Sequence, residues 1–210
     1  MKSKKKQLAR SRLYLVLDKG LLGANSLHEL AGKIKKSEAN IIQLRDKQSK
    51  KADVIKAAFL LRRAFSGDGK LFIVNDYVDV AKITDSDGVH LGQADISVEC
   101  ARKILGENKI IGVSCHNLKQ ALRAQDKGAD YLGIGPIFPT ATKNEKAIGL
   151  GVLKKIRKGV KIPFFVIGGI NKQNLKLATE EGNRRAAICR AILCSPDITV
   201  AIKEFSALLN

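Results

Sequence analysis

The chain has 210 residues, 45% of them hydrophobic and 28% charged, which suits one domain with a sizeable core. No apolar run reaches the roughly 18 residues needed to cross a bilayer, and residues 13–17 are too short for a signal-peptide apolar segment of about 7–15 residues; the expected compartment is the cytoplasm. The formal charge of +18 raises nucleic acid or acidic lipid as partners.

The basic residues are spread along nearly the whole chain except for one dense run, Lys2, Lys4, Lys5, Lys6, Arg10 and Arg12. Residues 1–12 therefore read as a solvated, disordered tail, and residues 13–210 as the folded domain. Short β-branched runs then alternate with longer amphipathic stretches. The expected strands are 13–18, 40–45, 71–75, 88–91, 110–114, 131–135, 163–167 and 186–189. Most are near-continuous apolar runs, as parallel strands covered on both faces require. The expected helices include 49–65, 97–105, 117–127, 171–180 and 197–209. Ser26, Ser97, Asn117 and Asn171 stand where N-caps are wanted, and Gly106 and Gly128 where a helix stops. Parallel strands need crossover helices, and eight units favour closure. The expected fold is an α/β, single-domain (β/α)8 TIM barrel, compact beside the usual length of about 250 residues. Cys100, Cys115, Cys189 and Cys194 form no CxxC pair; zinc is not expected, and mostly apolar neighbours suit reduced, buried thiols.

Barrel enzymes carry their chemistry at the C-terminal ends of the strands, and the polar residues of this chain collect there. Gln43, Arg45 and Lys47 alternate at period two and point to one side of extended backbone. Two converging cations need an anion: a substrate phosphate, or Asp46 or Asp76 in a strand-end salt bridge. Asp76 and Asp95 follow adjacent strands beside those cations. Mg2+ commonly takes one or two carboxylates plus phosphate oxygens, and the alternative for each aspartate is helix capping. Residues 133–143 combine Gly, Pro and Thr in a loop long for a βα connection, which reads as a closing lid whose Thr140, Thr142 and Lys143 can donate to phosphate. Gly168 and Gly169 lie between the seventh strand and a helix start, where barrels often bind phosphate; the plain alternative is a tight turn. Arg190, just past the eighth strand, is a further cation able to hold a phosphate. His116 is a candidate acid or base or a helix-start histidine bonded to backbone; His28 and His90 receive no role.

Together these motifs resemble the thiamine phosphate synthase family. The resemblance runs from Leu13 to Ile192 and rests on Tyr14-Leu15-Val16, Gln43-Leu44-Arg45-Asp46-Lys47, Asn75-Asp76, the stretch from Gly88 to Asp95, Ile111-Gly112-Val113-Ser114, the 133–143 loop and Ile167-Gly168-Gly169-Ile170. It implies a transferase that joins 4-amino-5-hydroxymethyl-2-methylpyrimidine diphosphate to a thiazole phosphate, releasing pyrophosphate. By that resemblance Gln43, Arg45, Lys47 and Asn75 would hold the pyrimidine diphosphate, with Lys143 on the diphosphate and Ser114 at the pyrimidine. Asp76 and Asp95 would bind Mg2+, and Thr140, Thr142, Gly168 and Gly169 the thiazole phosphate. Arg45, Lys47, Ser114 and Lys143 would be the residues acting in catalysis.

Three positions depart from the family pattern. Tyr77 stands where Arg commonly follows Asn-Asp, Asn183-Arg184-Arg185 replaces a small-residue stretch, and Arg190 stands where Ser is common. The last bears on the thiazole phosphate: Arg190 either strengthens its binding or blocks the pocket. The rivals are a thiazole tautomerase of the same superfamily acting through His116, which needs neither Mg2+ nor a diphosphate cradle, and a basic nucleic-acid-binding protein. An aromatic content of 5% is thin for base stacking, so the expected partners are small phosphorylated molecules, with no membrane.

Overall fold

The computed structural model describes residues 4–23, 26–142, 145–180 and 183–210. Eight strands close a parallel barrel in chain order: β1 Leu13–Asp18, β2 Ile41–Arg45, β3 Leu71–Asn75, β4 Gly88–Leu91, β5 Ile110–Cys115, β6 Tyr131–Ile134, β7 Phe164–Ile167 and β8 Ala186–Ile188. Closure is made by the short β8, whose Ala186 and Ile188 pair with Leu13 and Leu15 of β1. The helices are α1 Lys4–Arg10, α2 Leu27–Lys35, α3 Lys51–Ala64, α4 Val78–Ile83, α5 Val98–Leu105, α6 Leu118–Asp126, α7 Gly151–Gly159, α8 Leu175–Thr179, α9 Arg190–Leu193 and α10 Ile198–Leu209. No helix among the described residues is long and apolar enough to cross a membrane.

Alternation along the strands divides the apolar residues into two layers. Leu15, Leu17, Ile42, Leu44, Phe72 and Val74 face the helices. Tyr14, Val16, Ile41, Leu71, Ile73, Ile110, Tyr131 and Phe165 form the other cluster, which fills the barrel. The two tyrosines meet Phe165 edge-on, with ring centroids 5.3 and 5.8 Å away. Gly112 makes room for one of them: a Cβ there would lie 2.0 Å from Tyr131 Cζ. Gly112→Ala therefore overpacks a closed interior, and a loss of roughly 1–3 kcal/mol is expected, read as a lowered urea midpoint with an unchanged slope.

From Lys4 on, the basic segment is not the solvated tail that its charge suggests; residues 1–3 lie outside the described residues. Residues 4–10 are helical, and Leu8, 2% exposed, joins the cluster that fills the barrel, sealing its N-terminal end. Lys4 and Lys5 reach Asp87 and Asp130, each at 2.9 Å, and Arg185 Nη2 donates to the Ala9 carbonyl at 2.7 Å. One buried leucine, two ion pairs with buried acids and a satisfied helix end order a segment that has little apolar surface of its own.

Two helix starts are capped as expected. Ser97 accepts from Cys100 N at 3.2 Å and Asn117 from Gln120 N at 2.9 Å, whereas Ser26 occupies its cap position without a side-chain bond. Gly106 and Gly128 take positive φ where α5 and α6 stop. Asn171 does not start α8. Its side chain accepts from Gln173 N and Asn174 N, both at 3.0 Å, in a turn that delays the helix to Leu175. All four cysteines are free, but Cys100 and Cys194 are exposed rather than buried.

Candidate active site

The C-terminal ends of the strands surround a cavity of about 400 Å3, ample for a small ligand. Of the residues singled out in the sequence, Gln43, Arg45, Asn75, Ser114, Thr140, Thr142, Gly168, Gly169 and Arg190 line it. Lys47, Asp76 and Asp95 do not; they belong to the strand ends beside it. Lys143 lies outside the described residues.

The alternating side chains of β2 behave as their period requires, but their partners differ. Gln43 is buried and donates through Nε2 to the Tyr14 hydroxyl at 2.7 Å. Arg45 pairs with Asp18, its neighbour across the β1–β2 register, and with neither Asp46 nor Asp76. Asp46 turns away: it accepts from Ser49 N at 2.9 Å and meets Lys19 Nζ at 2.9 Å. Burial alone would raise its pKa, but the Ser49 and Gln48 N–H groups and Lys19 outweigh it and hold the carboxyl at about 2. It shapes the loop before α3 and leaves Arg45 to the cavity.

Lys47 pairs with Asp76. Asp76 caps no helix side-chain-first: it sits at φ 63, its N–H bonded to His90 O at 2.8 Å, and the cap position of α4 belongs to Tyr77. Asp95 likewise is not a cap, since Ser97 fills that place; it accepts from Gly92 N at 2.6 Å. Both capping alternatives thus fall away. Burial, and then the neighbouring Asp95 carboxylate, raise the Asp76 pKa against the pull of Lys47. Two acids held side by side, with one lysine paired to Asp76, form a site short of positive charge. Hard oxygen donors of this kind suit Mg2+, completed by substrate oxygens. Among the described residues no three His, Cys, Asp or Glu side chains assemble a metal centre by themselves.

Gly168 and Gly169 have a second reason to be glycine. Both take positive φ, and Cβ atoms would lie 2.3 Å from Pro136 Cβ and 2.4 Å from Pro139 O. The loop after β6 is laced to them: Ile137 N donates to Ile167 O at 2.9 Å and Phe138 N to Gly168 O at 3.1 Å. This brings Thr140 and Thr142 over the cavity, with Thr142 N on Thr140 Oγ1 at 3.2 Å. His116 also lines the cavity, its Nδ1 on Gly135 O at 2.6 Å.

The floor of the cavity is built from side chains to which the sequence assigns no role. Tyr14, His90, Tyr131 and Phe165 line it, and His90 links Tyr131 to Ser114. Period-two alternation applied to β1 and β4, as it was to β2, would have pointed Tyr14 and His90 inward. Cys189 lines the wall with its pKa pushed up to about 12, by burial first and then by Asp18, so it remains a thiol.

A closed parallel barrel with cations, hydroxyls and a glycine pair converging on one cavity at the strand ends is a (β/α)8 enzyme of small phosphorylated substrates. Sequence comparison narrows the class. The chain belongs to the thiamine monophosphate synthase family, whose model matches residues 13–192, and it is a transferase of that family. It is 41% identical over 194 residues to a thiamine-phosphate synthase of Methanosarcina barkeri, covering 91% of this chain and 87% of the relative. It is 42% identical over 201 residues to one of Chloroflexus aurantiacus, covering 95% and 93%. A solved structure of a thiamine phosphate pyrophosphorylase from Pyrococcus furiosus superposes with a TM-score of 0.86 at 35% identity, covering 98% of this chain and 97% of that one.

Proposed function

We propose that the chain condenses 4-amino-5-hydroxymethyl-2-methylpyrimidine diphosphate with a thiazole phosphate, giving thiamine phosphate and pyrophosphate in the cytoplasm. The observation that carries this is the gathering of Arg45, Asn75, Ser114, Thr140, Thr142 and the Gly168–Gly169 turn around one cavity, with Lys47, Asp76 and Asp95 grouped at the ends of β2, β3 and β4. The diphosphate occupies the side of the cavity nearest Arg45 and Lys47. Asn75 and Lys143 add donors to it, Gln43 supports the floor beneath it, and Ser114 meets the pyrimidine. Asp76 and Asp95 hold Mg2+, which when bound neutralises charge on the phosphate oxygens.

The chain's own contribution is electrostatic. When the bond from the methylene carbon to the diphosphate oxygen breaks, negative charge grows on the leaving group, and Arg45 and Lys47 are placed to receive it, with Lys143 as a further cation by the family resemblance. The pyrimidinylmethyl cation left behind spreads its charge onto the amino group, and the thiazole nitrogen attacks the methylene carbon. No general base is required. The loop carrying Thr140 and Thr142 keeps water from the cation, while the threonines and the Gly168–Gly169 N–H groups take the thiazole phosphate.

Arg190 lines the same cavity and serves as a cationic contact for that phosphate. Arg190→Ser is expected to raise KM for the thiazole phosphate about tenfold or more, as loss of a charge-assisted hydrogen bond does, while KM for the pyrimidine diphosphate stays put. A lowered thiazole KM would make Arg190 an obstruction.

The raised pKa of Asp76 gives a pH dependence with a defined sign. Its proton competes with the metal, so the Mg2+ concentration for half-maximal rate rises as pH falls toward that pKa. Asp95→Asn removes a neighbouring charge and lowers the Asp76 pKa, so the pH at which this rise begins moves downward. An unmoved profile would separate the two aspartates. The reaction itself is tested by supplying both substrates with Mg2+: equal amounts of thiamine phosphate and pyrophosphate are expected, and the absence of both would refute the assignment.

A further inference from the structure

Beneath the cavity runs an unbroken line of hydrogen bonds across the barrel. Gln43 Nε2 donates to Tyr14 Oη at 2.7 Å. Tyr14 Oη and Tyr131 Oη are 2.8 Å apart, Tyr131 Oη is 3.0 Å from His90 Nδ1, and His90 Nε2 is 2.9 Å from Ser114 Oγ. Both phenols are buried, 2% and 1% exposed. Burial raises the pKa of each, so each carries one proton to donate.

Counting protons gives the line a direction. An amide nitrogen donates and does not accept, and the buried Tyr14 hydroxyl, receiving from Gln43, can place its own proton among the described residues only on its other partner, Tyr131. Tyr131, receiving from Tyr14, gives its proton to His90 Nδ1. With Nδ1 an acceptor, the neutral imidazole carries its proton on Nε2 and donates to Ser114 Oγ. The Ser114 proton is then the one proton of the line with no place inside it, and Ser114 lines the cavity. Its backbone is held as well, by Gln93 Nε2 on Ser114 O at 2.6 Å.

We infer that this relay, anchored at Gln43, fixes His90 as the Nε2–H tautomer and so makes Ser114 a hydrogen-bond donor, selecting a substrate ring that presents an acceptor nitrogen at that point. His90 is a positioning residue, acting through Ser114, and Gln43 sets the polarity from the far side of the barrel. The inference rests on the proposed pyrimidine substrate for what Ser114 meets, but the tautomer is a property of the protein alone.

The test therefore begins without substrate. The full chain is labelled with 15N-histidine and its ring nitrogens are read at neutral pH by long-range proton–nitrogen correlation. The chain has only 3 histidines, and the His90 signals are those lost in His90→Asn. The expected result is a protonated Nε2 and an unprotonated Nδ1. Tyr131→Phe cuts the relay: His90 then populates both tautomers, and KM for the pyrimidine diphosphate rises about fivefold, as for one neutral hydrogen bond, with a smaller change in kcat. An Nδ1–H tautomer in the unaltered chain overturns the inference, and so does a folded Tyr131→Phe protein with His90 still wholly Nε2–H. An Nε2–H tautomer in a protein that makes no thiamine phosphate leaves the relay standing and removes the substrate assignment.

Discussion

Asp76→Ala and Asp95→Ala should each lower turnover at fixed Mg2+ by about 10²–10³-fold, the range for losing one preorganised stabiliser of transition-state charge. Both side chains are already held in place by the protein. Asp95 is fixed by Gly92 N–H at 2.6 Å. Asp76 is held at φ 63 on the end of β3, a backbone conformation that aspartate tolerates better than most residues. The barrel thus presses two carboxylates together and raises the pKa of Asp76, through burial first and then the neighbouring Asp95, against the lowering pull of Lys47. That arrangement costs stability unless a cation joins it, which offsets part of what each alanine loses at φ 63 or at Gly92 N, so each variant should still fold while metal-dependent turnover weakens. Rising Mg2+ should restore part of the rate in each single variant. Mg2+ titration curves identical to those of the unaltered chain in both would remove the metal assignment.

Arg45→Ala should raise KM for the pyrimidine diphosphate by about 10- to 150-fold, the worth of a hydrogen bond to a charged group, and lower kcat as well, because the contact strengthens as the leaving group gains charge. KM for the thiazole phosphate should not move. The variant also strands Asp18, which is 6% exposed and among the described residues otherwise accepts only from Gly20 N at 3.1 Å. A melting temperature measured alongside the kinetics separates the two effects. Asp18→Asn with Arg45→Ala should recover stability without recovering the diphosphate KM. Arg45→Lys should restore charge but not the two-pronged contact and fall between. Equal losses for both substrates would place Arg45 in the scaffold rather than at the diphosphate.

Much of the barrel is legible because parallel strands buried on both faces are continuous apolar runs. β1, β3 and β4 begin and end where the sequence reading places them, and the others differ by a residue or so at an end. Helix α1 is the failure. Its sequence, KKKQLAR, carries one apolar anchor, and its order comes from Leu8 entering the barrel and from acids on β4 and β6 flanks, Asp87 and Asp130, distant in the chain. α8 starts late because a pair of asparagine side chains, Asn171 and Asn174, close a turn that periodicity does not register.

At the site, position along a strand was readable and partnership was not. Strand ends placed Arg45, Asn75, Ser114 and the glycine pair around one cavity. The Arg45–Asp18 pair depends on the β1–β2 register, which no local pattern encodes. Gln43 lines the cavity, and its amide nitrogen faces a buried tyrosine contributed by a neighbouring strand, a partner that the pattern along β2 does not show. The sequence assigns His90 no role because the ring's bonds to Tyr131 and Ser114 reach β6 and β5 and form only when the barrel closes.

Calorimetric binding of pyrophosphate with and without Mg2+ decides whether the acids ending β3 and leading from β4 join the β2 cations around a departing diphosphate through a bound metal. The unaltered chain should bind pyrophosphate far more tightly when Mg2+ is present, and the Asp76→Ala, Asp95→Ala double variant should bind it equally in both conditions. A double variant that keeps the full Mg2+ enhancement would contradict the account.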